Sequence, residues 1–210
     1  MVTIGALLLL EAEMADRYDY MHAARREKIL SMVHSVLFWV VSIAGAILLA
    51  YAIVHFGLAK TTADASMAPT LQENDRILVD RLRYKLFKPK RNDIIVFCQD
   101  SDKNRKDAFY NVKRVVGLPG ETVQVKNGSV YINGKLMEEE VLVDHMMIAG
   151  LATYELKLGD DEYFVLGDAR NSSEDSRYAT IGNVKKSQII GYAWIRLNGF
   201  AFVNGLNRKE

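Results

Sequence analysis

The sequence predicts a mainly β protein, with an antiparallel, coiled β-sheet domain behind an N-terminal transmembrane helix. Three observations lead to this fold class. No Asp, Glu, Lys or Arg occurs from Ile29 to Ala59. From Arg76 onward, short runs rich in β-branched and aromatic residues follow one another. Two Asn-Gly pairs separate some of these runs, in "KNGS" and "INGK", and favour tight antiparallel hairpins.

The charge-free run is long enough to cross a bilayer. Residues 36–59 alone would form a helix of about 36 Å, whereas the hydrocarbon core is about 30 Å thick. A helix that is apolar on every side for this length is typical of a membrane span rather than of a globular core. We therefore predict an N-terminal segment 1–28, an anchor helix 29–60 and a β-rich domain 61–210.

The charges that flank the run predict its orientation. Only Lys60 occurs between the run and Arg76, whereas several basic residues precede the run, namely Arg17, Arg25, Arg26 and Lys28. The positive-inside bias places residues 1–28 in the cytoplasm and residues 61–210 outside the cell membrane, with a single pass between them.

Two features of the N-terminal region leave alternatives. A cleavable signal peptide could end at "ADA", Ala63 to Ala65, but the apolar run is much longer than the usual apolar region of such peptides. The first ten residues, "MVTIGALLLL", are too short to span a membrane. They could be the start of a helix, a surface-lying segment or part of a longer hydrophobic element.

The β-rich domain is expected to be antiparallel because tight hairpins join neighbouring strands. The predicted strands lie in "RILVDRL", "DIIVF", "YNVKRVVG", "ETVQVK", "SVYI", "EYFVL" and "QIIGYAWIRL". The acidic "MEEE", Met137 to Glu140, is interpreted as a solvated turn or loop.

Composition gives no support for nucleic-acid binding or for a fold that depends on a disulfide. The 210 residues contain 27 Lys plus Arg and 26 Asp plus Glu, a net charge of +1, which gives no electrostatic reason to expect nucleic acid as a partner. The single cysteine, Cys98, cannot form an internal disulfide. It lies in the apolar run "DIIVFC" and is interpreted as a core residue.

The stretch "DASMAPTL", Asp64 to Leu71, places Ser66 between small residues soon after the apolar run. Pro69 disfavours the helical region for Ala68, so we expect Ser66 on an extended, exposed segment. A serine hydroxyl is a poor nucleophile at its free pKa, so a catalytic role requires a base.

The histidines offer no convincing base. His22 lies in the predicted cytoplasmic segment, His34 and His55 lie near the ends of the predicted span, and nothing around His145 suggests a triad. Lys113, in "FYNVKRVVGLPGE", is the other candidate.

Strand alternation places Lys113 and Arg114 on opposite faces of a strand, so one of them must point toward the packed side. A lysine in a strand is usually solvated when considered alone.

Taken together, three stretches resemble the bacterial type I signal peptidases, and the resemblance covers residues 29–210. The family's nucleophile box is present as "SMAPTL" from Ser66, its lysine box as "KRVVGLPGE" from Lys113, and its third box as "GDARNSSEDSR" from Gly167 to Arg177. Only residues 114–166 separate Lys113 from the third box, so the compact Gram-positive type is the closer match.

The resemblance implies a membrane-anchored serine endopeptidase that removes signal peptides from exported preproteins. Ser66 would be the nucleophile, Lys113 the general base, and Met67 would help to shape the substrate site. No cofactor or metal is implied. Preproteins with small residues at the first and third positions before the cut (A-x-A type sites) would enter as an extended strand, and the lipid bilayer is the other implied partner. The oligomeric state is not indicated.

A lysine base must be partly neutral. At a pKa of about 10.4 only about 0.04% of an amine is neutral at pH 7, and a pKa near 8 raises this to roughly 10%. Desolvation in an apolar pocket can supply such a shift.

The third box implies supporting residues. Ser173 matches a family serine whose hydroxyl orients the lysine amine. Asp175 and Arg177 match a charged pair that braces the site, and Gly167 with Asp168 opens the loop.

Several positions depart from the family pattern. They are Ala169, Ser172 and Glu174 in the third box, and Asn74 and Asn92 where glycine usually precedes Asp. Asparagine tolerates positive φ, so the last two should cost little. Asp64 stands where some members carry a serine that helps hold the oxyanion, and an ionised carboxylate there would oppose catalysis. We expect Asp64 to turn away, leaving the backbone N–H of Ser66 as the main donor; reduced activity is the alternative.

Other functions are possible. A catalytically silent relative could act as a membrane-anchored assembly or chaperone factor for surface proteins, although that class should lack the serine or the lysine. A self-cleaving repressor-type protease should carry a helix-turn-helix domain, for which residues 1–28 are too short. The eukaryotic microsomal type uses histidine in place of the lysine.

Overall fold

The computed structural model describes residues 2–99, 110–141 and 143–206. The chain divides into two compact units, Met1–Ile53 and Val54–Glu210. The first unit consists of a single long helix, α1 (Val2–Ala52). A segment long and apolar enough to cross a membrane runs from Lys28 to Gly57, and no residue of its most apolar stretch is buried.

The ends of the helical region differ from the predicted ones. Residues 2–10 form the beginning of α1. At the other end, α1 is followed by a π-helical turn (Ile53–Gly57), and strand β1 begins at Leu58. The predicted anchor boundary at residue 60 is therefore wrong, because Leu58, Ala59 and Lys60 pair with a neighbouring strand instead of continuing the helix.

The second unit is built from two curled antiparallel sheets. Within the described residues, the strands of the larger sheet are β1 (Leu58–Thr62), β2 (Arg76–Asp80), β3 (Ile94–Cys98), β4 (Tyr110–Gly117), β9 (Glu162–Leu166), β10 (Val184–Lys185), β11 (Ile189–Arg196) and β12 (Ala201–Phe202). Those of the smaller sheet are β5 (Thr122–Lys126), β6 (Ser129–Ile132), β7 (Lys135–Leu136) and β8 (Leu156–Lys157). The eight strands of the larger sheet follow the order β1-β2-β11-β3-β4-β9-β10, with β12 paired to β11, and the smaller sheet has the order β7-β6-β5-β8.

Short helical turns connect the strands. They are α2 (Arg83–Leu86) and the 3-10 turns Ala65–Met67, Gly150–Thr153, Lys186–Gln188 and Val203–Gly205.

The predicted fold class is confirmed, and so are the turns that predicted it. Asn127 and Gly128 join β5 to β6 with φ of 50° and 73°, and Asn133 and Gly134 join β6 to β7 with φ of 52° and 77°. These left-handed angles are those of type I′ turns, whose twist matches that of antiparallel strands.

The core holds the segment after β1 against the large sheet. Met67 and Leu71 are fully buried and pack with Ile77 of β2, Ile94 of β3 and Val112 of β4. The residue before Met67 is thereby held next to β4. Cys98, at the end of β3, is buried as predicted for a core residue.

Candidate active site

Ser66 lies in a tight 3-10 turn, Ala65–Met67, between β1 and β2. Its side chain is only 5% exposed, and its carbonyl oxygen accepts a hydrogen bond from Ala169 N at 3.0 Å. The prediction of an extended, exposed Ser66 is therefore wrong, because the loop that contains Ala169 packs against the turn. Ala68 does adopt the extended conformation that Pro69 favours, with φ of −63° and ψ of 144°.

The structure brings Lys113 to Ser66. Lys113 lies on β4, its side chain is 1% exposed, and its Nζ is 2.5 Å from Ser66 Oγ. Burial lowers the pKa of the Lys113 amine below its usual value, because the charged form loses its hydration. Nearby carboxylates oppose this shift: Asp64 has the largest effect, followed by Asp175 and then Glu174.

Asp64 does not turn away from the site, so that expectation is wrong. Its Oδ1 accepts hydrogen bonds from Ser66 N at 3.2 Å and from Ser66 Oγ at 2.5 Å, and its Oδ2 lies 3.5 Å from Lys113 Nζ. The reason is local: Asp64 precedes the 3-10 turn as its N-cap, and a capping carboxylate folds back onto the free N–H groups of the turn. The Asp64 carboxylate therefore accepts the hydrogen bond of Ser66 N–H, the group that was expected to bind the oxyanion.

Lys113 and Arg114 are both buried, although simple alternation predicts one packed and one solvated side chain. Every residue of β4 after Tyr110 is buried, because the strand is covered on both faces. Lys113 faces the Ser66 turn. Arg114, on the other face, forms two hydrogen bonds with Asp168, from Nε to Oδ1 at 2.8 Å and from Nη2 to Oδ2 at 2.7 Å.

Asp168 joins the three sequence boxes. It binds Arg114 of the lysine box and accepts a hydrogen bond from the Thr70 hydroxyl of the nucleophile box. From the sequence, Asp168 was assigned only to the opening of its loop, and the contacts that Thr70 and Arg114 make with it were not predicted. The sequence offered one indication of this contact. A strand with two adjacent cations, Lys113 and Arg114, must bury one of them, and a buried cation requires a carboxylate partner.

Asp175 and Arg177 form the charged pair that the third box implies. Arg177 Nε donates to Asp175 Oδ1 at 2.8 Å, and Arg177 Nη2 donates to Asp175 Oδ2 at 2.8 Å. Both side chains are buried. Asp175 Oδ2 also accepts a hydrogen bond from Gly167 N at 3.1 Å, and Arg177 Nη1 donates one to Ile148 O at 3.1 Å. The pair thus holds both ends of the third-box loop.

Ser173 lies beside Ser66, with Gly167 between them. A Cβ on Gly167 would come within 2.1 Å of Ser173 Oγ and 2.6 Å of Ser66 O, so only glycine fits. Ser173 Oγ is buried and has no hydrogen-bond partner in the part of the chain that the structure describes. Its role in orienting Lys113 therefore stays a prediction. Met67 is fully buried in the core. Its role in shaping the substrate site stays a prediction.

Three further predictions concern residues outside the three boxes. The "MEEE" segment is a loop but is not simply solvated, because Glu139 binds the buried guanidinium of Arg170 at 2.7 Å. Asn74 and Asn92 adopt φ of 66° and 67°, as expected where asparagine replaces glycine. His145 is exposed. Among the described residues no group of His, Cys, Asp and Glu is arranged to hold a metal ion.

Comparison with known proteins places these residues in a family. Residues 36–198 match the family model "Signal peptidase, peptidase S26". The chain is 41% identical over 158 residues to a probable signal peptidase I-2 of Synechocystis, covering 72% of this chain and 68% of that protein. It is 39% identical over 165 residues to a signal peptidase I of Bacillus amyloliquefaciens, covering 75% of this chain and 85% of that protein.

The chain therefore belongs to peptidase family S26, the signal peptidases, which are serine endopeptidases. A crystal structure of a signal peptidase I from Enterococcus faecalis is 33% identical, covers 50% of this chain and 97% of that one, and gives a TM-score of 0.40.

We expect Asp168→Asn to destabilise the second unit strongly. The substitution leaves the buried Arg114 guanidinium without its counter-charge, and breaking a buried ion pair from one side costs about 3–5 kcal/mol. Chemical unfolding of the full chain in detergent, followed by the near-UV circular dichroism of the β unit, measures this. Asp160→Asn, at an exposed turn, is the control and should change little. Equal stability of the two variants would contradict the role assigned to Asp168.

We expect Asp64→Asn to lower the pKa of Lys113 further. The Asp64 carboxylate favours the charged amine, so its removal leaves burial less opposed and increases the neutral fraction at a given pH. Titration of the lysine side-chain ¹³Cε resonances by NMR, assigned with Lys113→Met, measures the shift. Asp144→Asn, on an exposed loop, serves as the charge-matched control. A rise in the Lys113 pKa in Asp64→Asn would contradict this electrostatic reading.

Proposed function

We propose that this protein is a membrane-anchored signal peptidase that cuts exported preproteins after small residues through a Ser66–Lys113 dyad. The observation that carries the proposal is the 2.5 Å contact between Ser66 Oγ and the buried Lys113 Nζ. Family membership supports signal-peptide removal as the reaction. The apolar segment Lys28–Gly57 supports an anchor, and the basic residues before it favour a cytoplasmic N-terminus with the β unit outside.

The dyad would act in two steps. Neutral Lys113 takes the proton of Ser66 Oγ as this oxygen attacks the carbonyl carbon of the scissile bond. The resulting ammonium then protonates the leaving amine, and the acyl group stays on Ser66 as an ester. In the second step Lys113 takes a proton from a water molecule as this water attacks the carbonyl carbon of the ester. The Lys113 ammonium then gives that proton to Ser66 Oγ as the bond between Oγ and the acyl carbon breaks, which releases the acyl fragment as a carboxylic acid and regenerates the Ser66 hydroxyl and the neutral amine. No cofactor enters either step.

Asp64 must move before the first step. In the structure the Ser66 hydroxyl donates to Asp64, so its proton points away from Lys113, and the same carboxylate occupies Ser66 N–H. An oxyanion needs that N–H, because donors aimed at the developing charge are among the largest contributions to such catalysis. The Asp64 side chain is 47% exposed, which leaves it room to rotate toward solvent when a substrate carbonyl enters.

The placement of Asp64 also favours a second candidate. If the carboxylate stays against Ser66, the protein is a catalytically weak relative that acts as a membrane-anchored assembly or chaperone factor for surface proteins. The two candidates differ in one observable property, turnover by the unmodified chain.

The test is cleavage, in detergent, of a preprotein with an Ala-x-Ala site, followed by N-terminal sequencing of the product. We expect the wild-type chain to cut after the second alanine. Ser66→Ala and Lys113→Met should each abolish the cut without unfolding the protein, because methionine keeps the buried aliphatic volume of Lys113 while removing its amine.

The controls separate the two candidates. Thr61→Ala and Lys60→Met, nearby on β1, should cut normally. Turnover retained in Lys113→Met would disprove the dyad. If folded wild type cuts none of several preproteins but Asp64→Ser does, the weak-relative candidate is correct and Asp64 is its cause.

A further inference from the structure

A strongly basic segment with an apolar tip follows β2. Residues 81–91, "RLRYKLFKPKR", contain no acidic residue, and we refer to them as the basic segment. At its tip Leu86 is 78% exposed and Phe87 is 65% exposed. The cations of the basic segment are Arg81, Arg83, Lys85, Lys88, Lys90 and Arg91.

One side of the basic segment is fixed to the β unit. The Tyr84 hydroxyl donates to Asp93 Oδ2 at 2.9 Å, and the Tyr84 ring packs edge-on against Tyr192 with centroids 6.1 Å apart. The Arg83 guanidinium lies 4.1 Å above the Tyr192 ring. Because Tyr84 is buried, the neighbouring Leu86 and Phe87 are held outward in a defined position.

The lysines on the outer side are uncompensated. Lys85, Lys88 and Lys90 are exposed, and within residues 2–99, 110–141 and 143–206 none of them forms an ion pair. Arg91 differs, since its Nη2 lies 2.6 Å from Glu121. The basic segment therefore presents unneutralised ammonium groups around an apolar tip.

The basic segment begins where the apolar span ends. Arg81 N donates to Gly57 O at 2.8 Å, and Leu58 pairs with Asp80. Gly57 is the last residue of the membrane-span candidate. Ser66 follows the opposite end of β1, so the basic segment and the candidate active site lie at different ends of the β1–β2 pair.

We propose that the basic segment docks on the anionic phospholipid surface of the bilayer that α1 crosses. Leu86 and Phe87 enter the interfacial region, and the three lysines contact lipid phosphates. Surface-bound elements of this kind combine apolar burial with attraction to anionic lipids. The proposal rests on the membrane anchoring in the proposed function and is independent of the peptidase step.

An acidic polypeptide is the competing partner for such a charge. Two observations favour lipid. A bilayer around the span would lie next to the start of the basic segment, because Arg81 is hydrogen-bonded to Gly57. The exposed Leu86 and Phe87 side chains suit the interfacial region of a bilayer, whereas an acidic chain gives no reason for them.

The test uses the full chain reconstituted into vesicles. Leu86→Cys carries a polarity-sensitive fluorophore, and the native Cys98 is fully buried, which shields it from the labelling reagent. Vesicles contain phosphatidylcholine alone or phosphatidylcholine with phosphatidylglycerol, each with a lipid-borne nitroxide quencher. We expect strong quenching only with phosphatidylglycerol, and we expect salt to reverse it.

Matched variants measure the charge dependence. Each basic residue near an anionic surface strengthens attachment about fivefold, so replacing Lys85, Lys88 and Lys90 with Gln should lower the docked-to-undocked ratio on the order of 100-fold. A control with the same loss of charge replaces exposed lysines elsewhere, Lys126, Lys135 and Lys186, with Gln and should leave quenching unchanged. A fluorophore at exposed Ser187→Cys should not respond to phosphatidylglycerol.

Several results would overturn the proposal. The first is equal quenching at residue 86 in vesicles with and without phosphatidylglycerol. The second is an equal loss of quenching in the Lys85/Lys88/Lys90 variant and in the Lys126/Lys135/Lys186 control. A response to soluble polyglutamate but not to phosphatidylglycerol would identify an acidic polypeptide instead. Failure of the proposed peptidase activity alone would leave the quenching result unchanged.

Discussion

The candidate active site is organised around a lysine amine buried beside a serine hydroxyl. Lys113 lies on a strand covered on both faces, so its charged form loses hydration and its pKa falls. The Ser66 turn can meet it only because Met67 and Leu71 fix that turn to the core and Gly167 allows the third-box loop to approach within contact distance. A solvated lysine at the same place would be almost fully protonated at neutral pH and therefore rarely available to accept a proton.

Two buried carboxylate–arginine pairs hold the three boxes in register. Asp168 connects Arg114 with Thr70, and Asp175 connects Arg177 with the backbone of Gly167. Such pairs add little net stability compared with apolar packing, but removing one partner leaves a buried charge. They therefore specify one arrangement of the loops, and this arrangement fixes Ser66 Oγ relative to Lys113 Nζ.

The parts of this structure that depend on local chemistry could be predicted from the sequence. Type I′ hairpins follow from the Asn-Gly pairs, and the mainly β fold follows from the strand runs. The 3-10 turn Ala65–Met67 was not predicted, so Asp64, which caps this turn, was wrongly expected to turn away. The other errors arise where distant segments meet. Arg114 can be buried only because Asp168, which lies far along the chain, neutralises it. Ser66 was expected to be exposed because the packing of the third-box loop against its turn, through Ala169, could not be predicted.

The pH dependence of kcat/KM for the wild-type chain on a short peptide substrate shows whether neutral Lys113 is the general base. The profile should have an acidic limb whose pKa equals that of the Lys113 amine measured by NMR, below the usual value for lysine, because the free enzyme must hold this amine neutral. A rate that stays level through the pH at which Lys113 titrates, or an acidic limb that persists unchanged in a folded and active Lys113→Met variant, would contradict the account.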